Sequence, residues 1–188
     1  MIQTKADYIH DRIAEGEHQQ QDFKFEISDA RKIAKSLSAF SNTDGGRLLV
    51  GVKDNGKIAG VRSEEEMYMI EAAAKLYCKP QIDCEMHVHT VEGHTVLEVI
   101  VPPGKQKPYY AKDHDNRWWA YIRILDENIL ATPVHIKVWQ QAGTPKGAFV
   151  HYTETEQILL DYLSSHDSIT LNQYCRPVSY THLTLPTT

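Results

Sequence analysis

Apolar positions near the start of the chain predict two helices separated by a strand. Between Thr4 and Ile13 the apolar side chains fall three or four residues apart, as in a short amphipathic helix. The stretch QQQDFKFEI then alternates between apolar and polar positions, as a strand does. A second helix is predicted to begin at Ser28 or Asp29, whose short side chains can cap it, and to bury one apolar face as far as Phe40.

The middle of the chain alternates between short apolar runs and turn residues, which is typical of strands. RLLVGV follows the turn NTDGG, and a second turn, DNG, predicts a hairpin with KIAGV as the returning strand. A helix with a capping box at Ser63 and Glu66 is predicted next. Two long strands, IDCEMHVHTV and HTVLEVIV, meet at a turn, KPYYAK and RWWAYIRIL predict two more, and Pro133 opens a further helix.

This order of elements predicts an α/β class, with an α+β mixed sheet and flanking helices over residues 1–142. Residues 143–152 are predicted to be a linker. Residues 153–176 look like the first two helices of a winged helix-turn-helix that is truncated before its recognition helix. The uncharged, aperiodic segment 177–188 resembles a translated sequencing-adapter or vector tail and is left out of the fold prediction.

The composition narrows the classes of function. A chain of 188 residues with 41% hydrophobic content can build one core of ordinary size and a fragment of a second domain. Its net charge of -5 gives no bulk argument for nucleic-acid binding, so such binding needs a local basic patch. No apolar stretch approaches the roughly 20 residues of a membrane span, and the three cysteines form no CxxC pair. A reduced, cytoplasmic setting without a membrane partner is expected.

The glycine-rich turns on either side of LLVGV do not match a nucleotide-binding loop. A P-loop needs GxxxxGK[ST], and a dinucleotide-binding loop needs GxGxxG between a strand and a helix. Here the glycines lie between a helix and a strand, so ATP binding has no support from these residues. The turn residues are assigned a structural role: Asn42, Gly45, Gly46, Gly51 and Gly56.

Histidines and tryptophans offer two further candidates for chemistry. His87 and His89 share one face of a strand and His94 follows the turn, so the three are candidate zinc ligands. A solvated polar face of the sheet is the favoured interpretation. Trp118 and Trp119 are candidates for stacking on bases. Because neighbours in a strand point to opposite faces, one is expected in the core and the other at the surface.

Three acids near the first strand are the remaining candidates. Glu17 and Asp22 flank QQQ, and Asp54 follows the glycine-framed strand. Carboxylates brought together from such places can hold Mg²⁺ or Mn²⁺, which polarises a phosphate and activates water. Spacing alone does not show that they converge, and on that evidence ordinary surface acids are the favoured interpretation.

Several of these stretches together resemble the Schlafen AlbA-like domain. The resemblance is carried by EGEHQQQDFKFE, by LSAFSNTDGGRLLVGVKDNGKIAGV, and by the later VPPGKQKPYY and WWAYIRIL, so it spans about residues 5–141. It implies an α/β domain with nucleic-acid binding as the family theme. Bacterial members, long labelled divergent AAA ATP-binding proteins or transcriptional regulators, often carry a winged helix after this domain.

The resemblance also implies a nuclease as an alternative. Animal Schlafens use three acids in metal-dependent cleavage of structured RNA, and the first two match Glu17 and Asp22, the latter standing where the family usually has Glu. The third falls within Val52-Lys53-Asp54. A match to Asp54 keeps the acid, whereas a match to Lys53 puts a cation in its place. Mg²⁺ or Mn²⁺ would be the cofactor of such a nuclease; otherwise no cofactor is expected.

The leading prediction is a DNA-binding transcriptional regulator, with DNA rather than RNA as its partner. Both glycine-rich turns are expected to gather basic side chains on one surface that attracts phosphate without reading sequence. The predicted contacts are Lys24, Arg31, Lys35, Arg47, Lys53 and Lys57. The alternatives are the metal-dependent ribonuclease and a protein-interaction or dimerisation module with an aromatic patch at Trp118 or Trp119. A homodimer is compatible with each.

Overall fold

The computed structural model describes residues 5–142 and 153–175. The chain divides into two compact units with the boundary after Thr144. The described part of the first unit contains the helices α1 (Lys5–Ala14), α2 (Ala30–Asn42), α3 (Glu65–Leu76) and α4 (Pro133–Gln141). Its strands are β1 (Gln21–Lys24), β2 (Gly46–Val50), β3 (Cys78–Lys79), β4 (Glu85–Val91), β5 (His94–Val101), β6 (Tyr110–Lys112), β7 (Trp118–Ile124) and β8 (Glu127–Leu130).

The strands form two four-stranded sheets. The first has the order β1-β2-β5-β4, with β1 parallel to β2 and the other neighbours antiparallel. The second has the order β3-β6-β7-β8 and is antiparallel throughout. The predicted α/β class with a mixed sheet and flanking helices is therefore confirmed, with a second sheet added to it.

Helix α2 joins the two sheets, packing on β6, β7 and β8 of the second and on β2 and β5 of the first. Its apolar positions Ile33, Leu37 and Phe40 lie in the larger hydrophobic core. Asp29 caps it, since its carboxylate accepts a hydrogen bond from the Arg31 amide at 2.9 Å. The opposite face of the first sheet is covered by α1, whose Ile9 is buried in a smaller core. The first sheet is thus covered on both faces.

Polar side chains on α2 supply hydrogen bonds that hold the second sheet. The Asn42 amide donates to the carbonyls of Tyr109 and Tyr121 at 2.7 and 2.9 Å and accepts from the Tyr109 amide at 2.8 Å. Ser38 donates to the Tyr109 carbonyl at 2.8 Å and accepts from the Tyr121 amide at 3.2 Å. The sequence assigned Asn42 to a local turn; its side chain instead bonds residues far along the chain, because the end of α2 faces the second sheet.

Two glycines have backbones that other residues adopt only with strain. Gly45 has φ +73°, and a Cβ there would lie 2.7 Å from the Val101 carbonyl oxygen. Gly51 has φ +91°, and a Cβ would lie 2.8 Å from the backbone of Gly60. Both contacts are shorter than van der Waals separation, so glycine lets the chain enter and leave β2 sharply.

Two local predictions are wrong. KIAGV does not form a strand: a single bridge joins Val52 to Ile58, because the amides of Ala59 and Gly60 both turn back to the Gly51 carbonyl. The capping box at Ser63 and Glu66 does not form either. The helix begins one residue later, and the Ser63 hydroxyl accepts from the Glu65 amide instead.

The two tryptophans also differ from their prediction. Trp118 and Trp119 are 40% and 39% exposed, so neither is a core residue. They do point to opposite faces, but they lie at the first two positions of β7, beside the turn from β6. The prediction placed one of them in the core because it took the whole strand to be buried on one face.

The second unit has one helix of ordinary length among its described residues. Helix α5 (Glu154–Leu163) begins with a complete capping box between Thr153 and Glu156. A helical segment follows at 171–175. The predicted linker 143–152, the expected recognition helix and the tail 177–188 lie outside the described residues. No helix in the described part of the chain is long and apolar enough to cross a bilayer.

Substituting Asn42 by alanine is expected to lower the free energy of unfolding by about 2–3 kcal/mol, because it leaves buried backbone groups of Tyr109 and Tyr121 without partners. Chemical denaturation measures the change. Asn55→Ala is the matched control, since Asn55 lies exposed in a turn and accepts one bond, from the Lys57 amide; it should cost less than about 1 kcal/mol. Equal losses in the two variants would contradict the bridging role of Asn42.

Candidate nucleic-acid interface

A carboxylate and an ammonium lie side by side on β1. Asp22 is 3% exposed, and its Oδ2 lies 2.7 Å from Nζ of Lys24. The two residues are two positions apart in a strand, so both side chains leave the same face. The Ser36 hydroxyl of α2 donates to the same carboxylate oxygen at 3.4 Å. Asp22 is therefore held by partners from its own strand and from the helix.

Arg123 on β7 supplies the other partner of Asp22. Its side chain is 1% exposed, and Nη2 lies 3.5 Å from Asp22 Oδ1. The guanidinium also donates to the Gln21 carbonyl at 3.1 Å and to Asn128 Oδ1 at 3.1 Å. It lies 5.2 Å from the centre of the Phe40 ring. This one side chain contacts the first sheet, the second sheet and α2.

Sequence reasoning missed Arg123 as a site residue. The signal was present in AYIRIL, where a lone arginine stands in an apolar strand two positions after Tyr121. That spacing places it on the same strand face as Tyr121, the face that packs against α2. An arginine on a buried face needs a carboxylate, so the pattern called for an acid partner elsewhere in the chain.

Glu17 lies against Asp22, as the sequence hypothesis required of the first two acids. Its Oε1 accepts a hydrogen bond from the Phe23 amide at 2.9 Å. Burial raises the pKa of Glu17, and a hydrogen bond with the Asp22 carboxylate raises that pKa further. Glu17 therefore keeps a proton more readily than an exposed glutamate does.

The third acid does not join this pair. Asp54 is exposed in the turn after β2, and no group of three or more metal-ligating side chains occurs within residues 5–142 or 153–175. The Lys24 ammonium already lies on the Asp22 oxygen that a metal would need. The residues as arranged do not fit a metal ion.

The histidines do not gather either. His89 is buried, with Nε2 at 2.9 Å from Oε2 of Glu98, whereas His87 is exposed beside Glu85. Tyr8 of α1 donates to the other Glu98 oxygen at 2.8 Å. Burial, and then this hydrogen bond, raise the pKa of Tyr8. This cluster of Tyr8, His89 and Glu98 therefore holds α1 against the first sheet.

Arg47 belongs to this same cluster rather than to a shared basic surface. Its Nη1 donates to the Tyr8 hydroxyl at 3.3 Å and lies 3.8 Å from the Glu98 carboxylate. The two glycine-rich turns stand at opposite ends of β2, which spans roughly 13 Å. Lys24 lies at the end of β2 that leads to Lys53, since its carbonyl accepts from the Gly51 amide at 2.8 Å. The structure thus separates Arg47 from the other predicted contacts.

Basic side chains gather around Phe25, beyond the ends of β1 and β2. Lys53 Nζ lies 5.0 Å from the centre of the Phe25 ring, and the Arg62 guanidinium lies 5.4 Å from it. Lys57 is exposed in the same turn as Lys53, whose amide donates to the Lys57 carbonyl. Arg62, which sequence reasoning did not select, pairs with Glu26 at 3.0 Å. Lys53, Lys57 and Arg62 with Phe25 are called the hairpin patch below.

Two further cations lie on α2. The Arg31 guanidinium is 4.9 Å from the centre of the Tyr77 ring, and Lys35 Nζ is 5.8 Å from that of Tyr121. Neither forms an ion pair with an acid in the part of the chain that the structure describes. Arg31 and Lys35 are called the helix patch below. Like Lys53, they sit beside aromatic rings that attract a cation without neutralising it.

Comparisons with known proteins agree with this architecture. A family model described as Schlafen, AlbA_2 matches residues 17–132. Among solved structures, the DIP2311 protein from Corynebacterium diphtheriae is similar at 18% identity and a TM-score of 0.50, over 81% of this chain and 35% of that one. At 18% identity this similarity shows a shared fold alone, and the chain spans about a third of that protein.

A second solved structure is also similar. It is the N-terminal domain of an ATP-dependent DNA helicase RecG-related protein from Nitrosomonas europaea, at 25% identity and a TM-score of 0.49, over 65% of this chain and 90% of that one. No curated protein shows a significant match to the chain.

Replacing Arg123 by methionine is expected to cost about 3–5 kcal/mol of folding stability, because it leaves the buried Asp22 carboxylate without its guanidinium. Thermal and urea unfolding report the loss. The control, Arg117→Met, removes an exposed arginine that pairs with Asp113 and Asp115 and should cost about 1 kcal/mol or less. Adding Asp22→Asn to Arg123→Met should recover part of the lost stability. A double variant that is less stable than Arg123→Met alone would contradict the pairing.

The pH dependence of stability should report the raised pKa of Glu17. A carboxyl group whose pKa is higher in the folded state stabilises the fold below its unfolded value, 4.5, and loses that contribution as the pH rises through the folded value. Glu17→Gln keeps the acceptor for the Phe23 amide and cannot ionise. Its melting temperature should therefore rise relative to wild type above about pH 4.5. Glu85→Gln, at an exposed glutamate, should show no such trend.

Proposed function

This chain belongs to the Schlafen, AlbA_2 family, and from that premise we propose that it is a nucleic-acid-binding protein that holds the phosphate backbone through the hairpin patch and the helix patch. One observation carries the proposal. In a chain of net charge -5, the described residues leave four predicted contacts without an acid partner. These are Arg31, Lys35, Lys53 and Lys57.

The arrangement suits contact with phosphate rather than base reading. Rings within about 6 Å restrict a cation by a quadrupole attraction and leave its N–H donors free on the outer side. Such donors fix a backbone in place and carry no sequence information. Binding through them releases counterions, so the affinity should fall steeply with salt. Arg47 and Lys24 contribute less, because Glu98 and Asp22 already engage them.

Duplex DNA is the proposed target, and a cytoplasmic transcriptional regulator the proposed role. The support lies in the second unit, where we assign the capped α5 and the helical segment 171–175 to the first two helices of a helix-turn-helix. In such motifs the following recognition helix enters the major groove. The first unit would then fix the backbone, whereas base reading would need the recognition helix that the predicted truncation removes.

A metal-dependent ribonuclease is the second candidate, carried by the contact between Glu17 and Asp22. It needs a third ligand and the displacement of Lys24 from Asp22, and neither follows from the arrangement of the side chains. Nucleic-acid binding therefore stays the first proposal.

Salt titration of duplex DNA binding tests the hairpin patch. Each phosphate contact contributes about 0.9 to the slope of log K against log salt, so Lys53→Gln with Lys57→Gln should flatten the slope by about 1.8. Lys75→Gln with Lys137→Gln is the matched control, because both lysines are exposed on helices outside the patch, α3 and α4, and it should leave the slope unchanged. Equal slopes in the two double variants would remove the hairpin patch from the proposal.

The same samples distinguish binding from cleavage. Labelled tRNA and duplex DNA are incubated with the full chain, with and without Mn²⁺, and run on native and denaturing gels. Shifted but intact nucleic acid is the expected result. Metal-dependent fragments that disappear in Glu17→Ala would put the ribonuclease first.

A further inference from the structure

The outer face of the second sheet carries aromatic and basic side chains in register. On β7, the Tyr121 ring lies on the face toward α2, so Trp118 and Ala120 point away from the helix. Across the strands, Trp118 stands opposite Lys112 and Ala120 stands opposite Tyr110. Trp118 and Tyr110 are thus diagonal neighbours on one surface.

A recess lies on this face beside Tyr110 and Trp118. A cavity of about 280 Å³ is lined there by Lys79, Pro80, Tyr110 and Trp118. Diagonal neighbours in an antiparallel pair lie roughly 7–8 Å apart. A flat ring placed between two others needs about 3.5–4.0 Å on each side. The recess therefore has room for one planar group between Tyr110 and Trp118.

The charge around the recess is positive. Lys112 Nζ lies 5.7 Å from the centre of the Trp118 ring, and Lys79 stands opposite Tyr110 on β3. Within the described residues neither lysine has an acid partner. The acids of the neighbouring turn are taken: Arg117 pairs with both Asp113 and Asp115. An occupant that brings phosphate to these two lysines would find no competing carboxylate paired with them.

We infer that this recess binds an unpaired base of a single-stranded nucleic acid, stacked between Tyr110 and Trp118, with Lys79 and Lys112 on the flanking phosphates. Aromatic platforms beside lysines are the means by which proteins hold single strands, since every base has a stacking face. Bases inside a duplex are already stacked and do not reach such a recess. The inference rests on the proposed function and adds a single-stranded target to it.

Binding of oligothymidylate to the full chain tests the inference against an abasic strand of equal length, which keeps the phosphates and lacks the bases. Stacking of one base contributes about 1–3 kcal/mol, so Trp118→Ala should weaken oligothymidylate binding by roughly 5- to 150-fold. The affinity of Trp118→Ala for the abasic strand should equal that of the wild-type protein. Trp118→Phe, which keeps a ring, should recover most of the loss.

Trp119→Ala is the matched control. Trp119 is equally exposed but faces the other side of the sheet, where its indole N–H donates to Asp113 at 2.8 Å. It should leave the preference for oligothymidylate over the abasic strand intact. Circular dichroism and thermal melting confirm that each variant is folded. Lys112→Gln gives an independent readout, because it should lower the affinity for both oligothymidylate and the abasic strand.

Three results would overturn the inference. Wild-type protein that binds both strands equally, while still binding duplex DNA, removes the stacking site and leaves the proposed function in place. Self-association that depends on Trp118 with no preference for bases assigns the face to a second copy of the chain. Wild-type protein that binds no strand and no duplex removes the proposed function as well.

Discussion

The buried guanidinium of Arg123 is the constraint on which the rest of the domain depends. An arginine that is 1% exposed has lost its hydration and must recover it from fixed partners. Those partners are the carboxylate of Asp22, the carbonyl of Gln21 and the side-chain oxygen of Asn128. They come from both sheets, so satisfying one charge fixes where the sheets meet. Desolvation offsets much of the attraction within the pair, so removing one partner costs more than the intact pair contributes.

The pairing of Arg123 with Asp22 also affects the charge that Asp22 and Glu17 present. Asp22 lies between two cations, Arg123 and Lys24, and its charge is already balanced. Glu17, pressed against it, has a raised pKa through burial and its contact with Asp22. Asp22 is thus paired with cations and the raised pKa of Glu17 favours its neutral form, so the repulsion that the two acids would exert on an incoming phosphate is reduced. An acidic pair near the surface is compatible with an anionic ligand for this reason.

Local pattern predicted much of the fold, because it depends on residues close in sequence. The Asp29 cap, the hairpin of β4 and β5 and the helix after Pro133 all follow from spacing and turn chemistry. The second sheet did not follow, since Asn42 bonds Tyr109 across 67 positions and no short pattern encodes that pairing. The contact of Glu17 with Asp22 could be predicted from the sequence, because the two residues are only five positions apart. For Arg123 the pattern called for an acid partner but did not identify Asp22, because that pairing depends on which strands become neighbours.

Net charge is a poor guide to anion binding in this chain. Carboxylates outnumber cations overall, but several are paired with arginines, as Asp22 is with Arg123 and Asp113 with Arg117. Lys35, Lys53 and Lys112 are instead placed beside aromatic rings. A ring holds an ammonium through its quadrupole and leaves the full positive charge in place. Such cations keep their attraction for phosphate, so an acidic chain can present basic surfaces wherever rings rather than carboxylates are their neighbours.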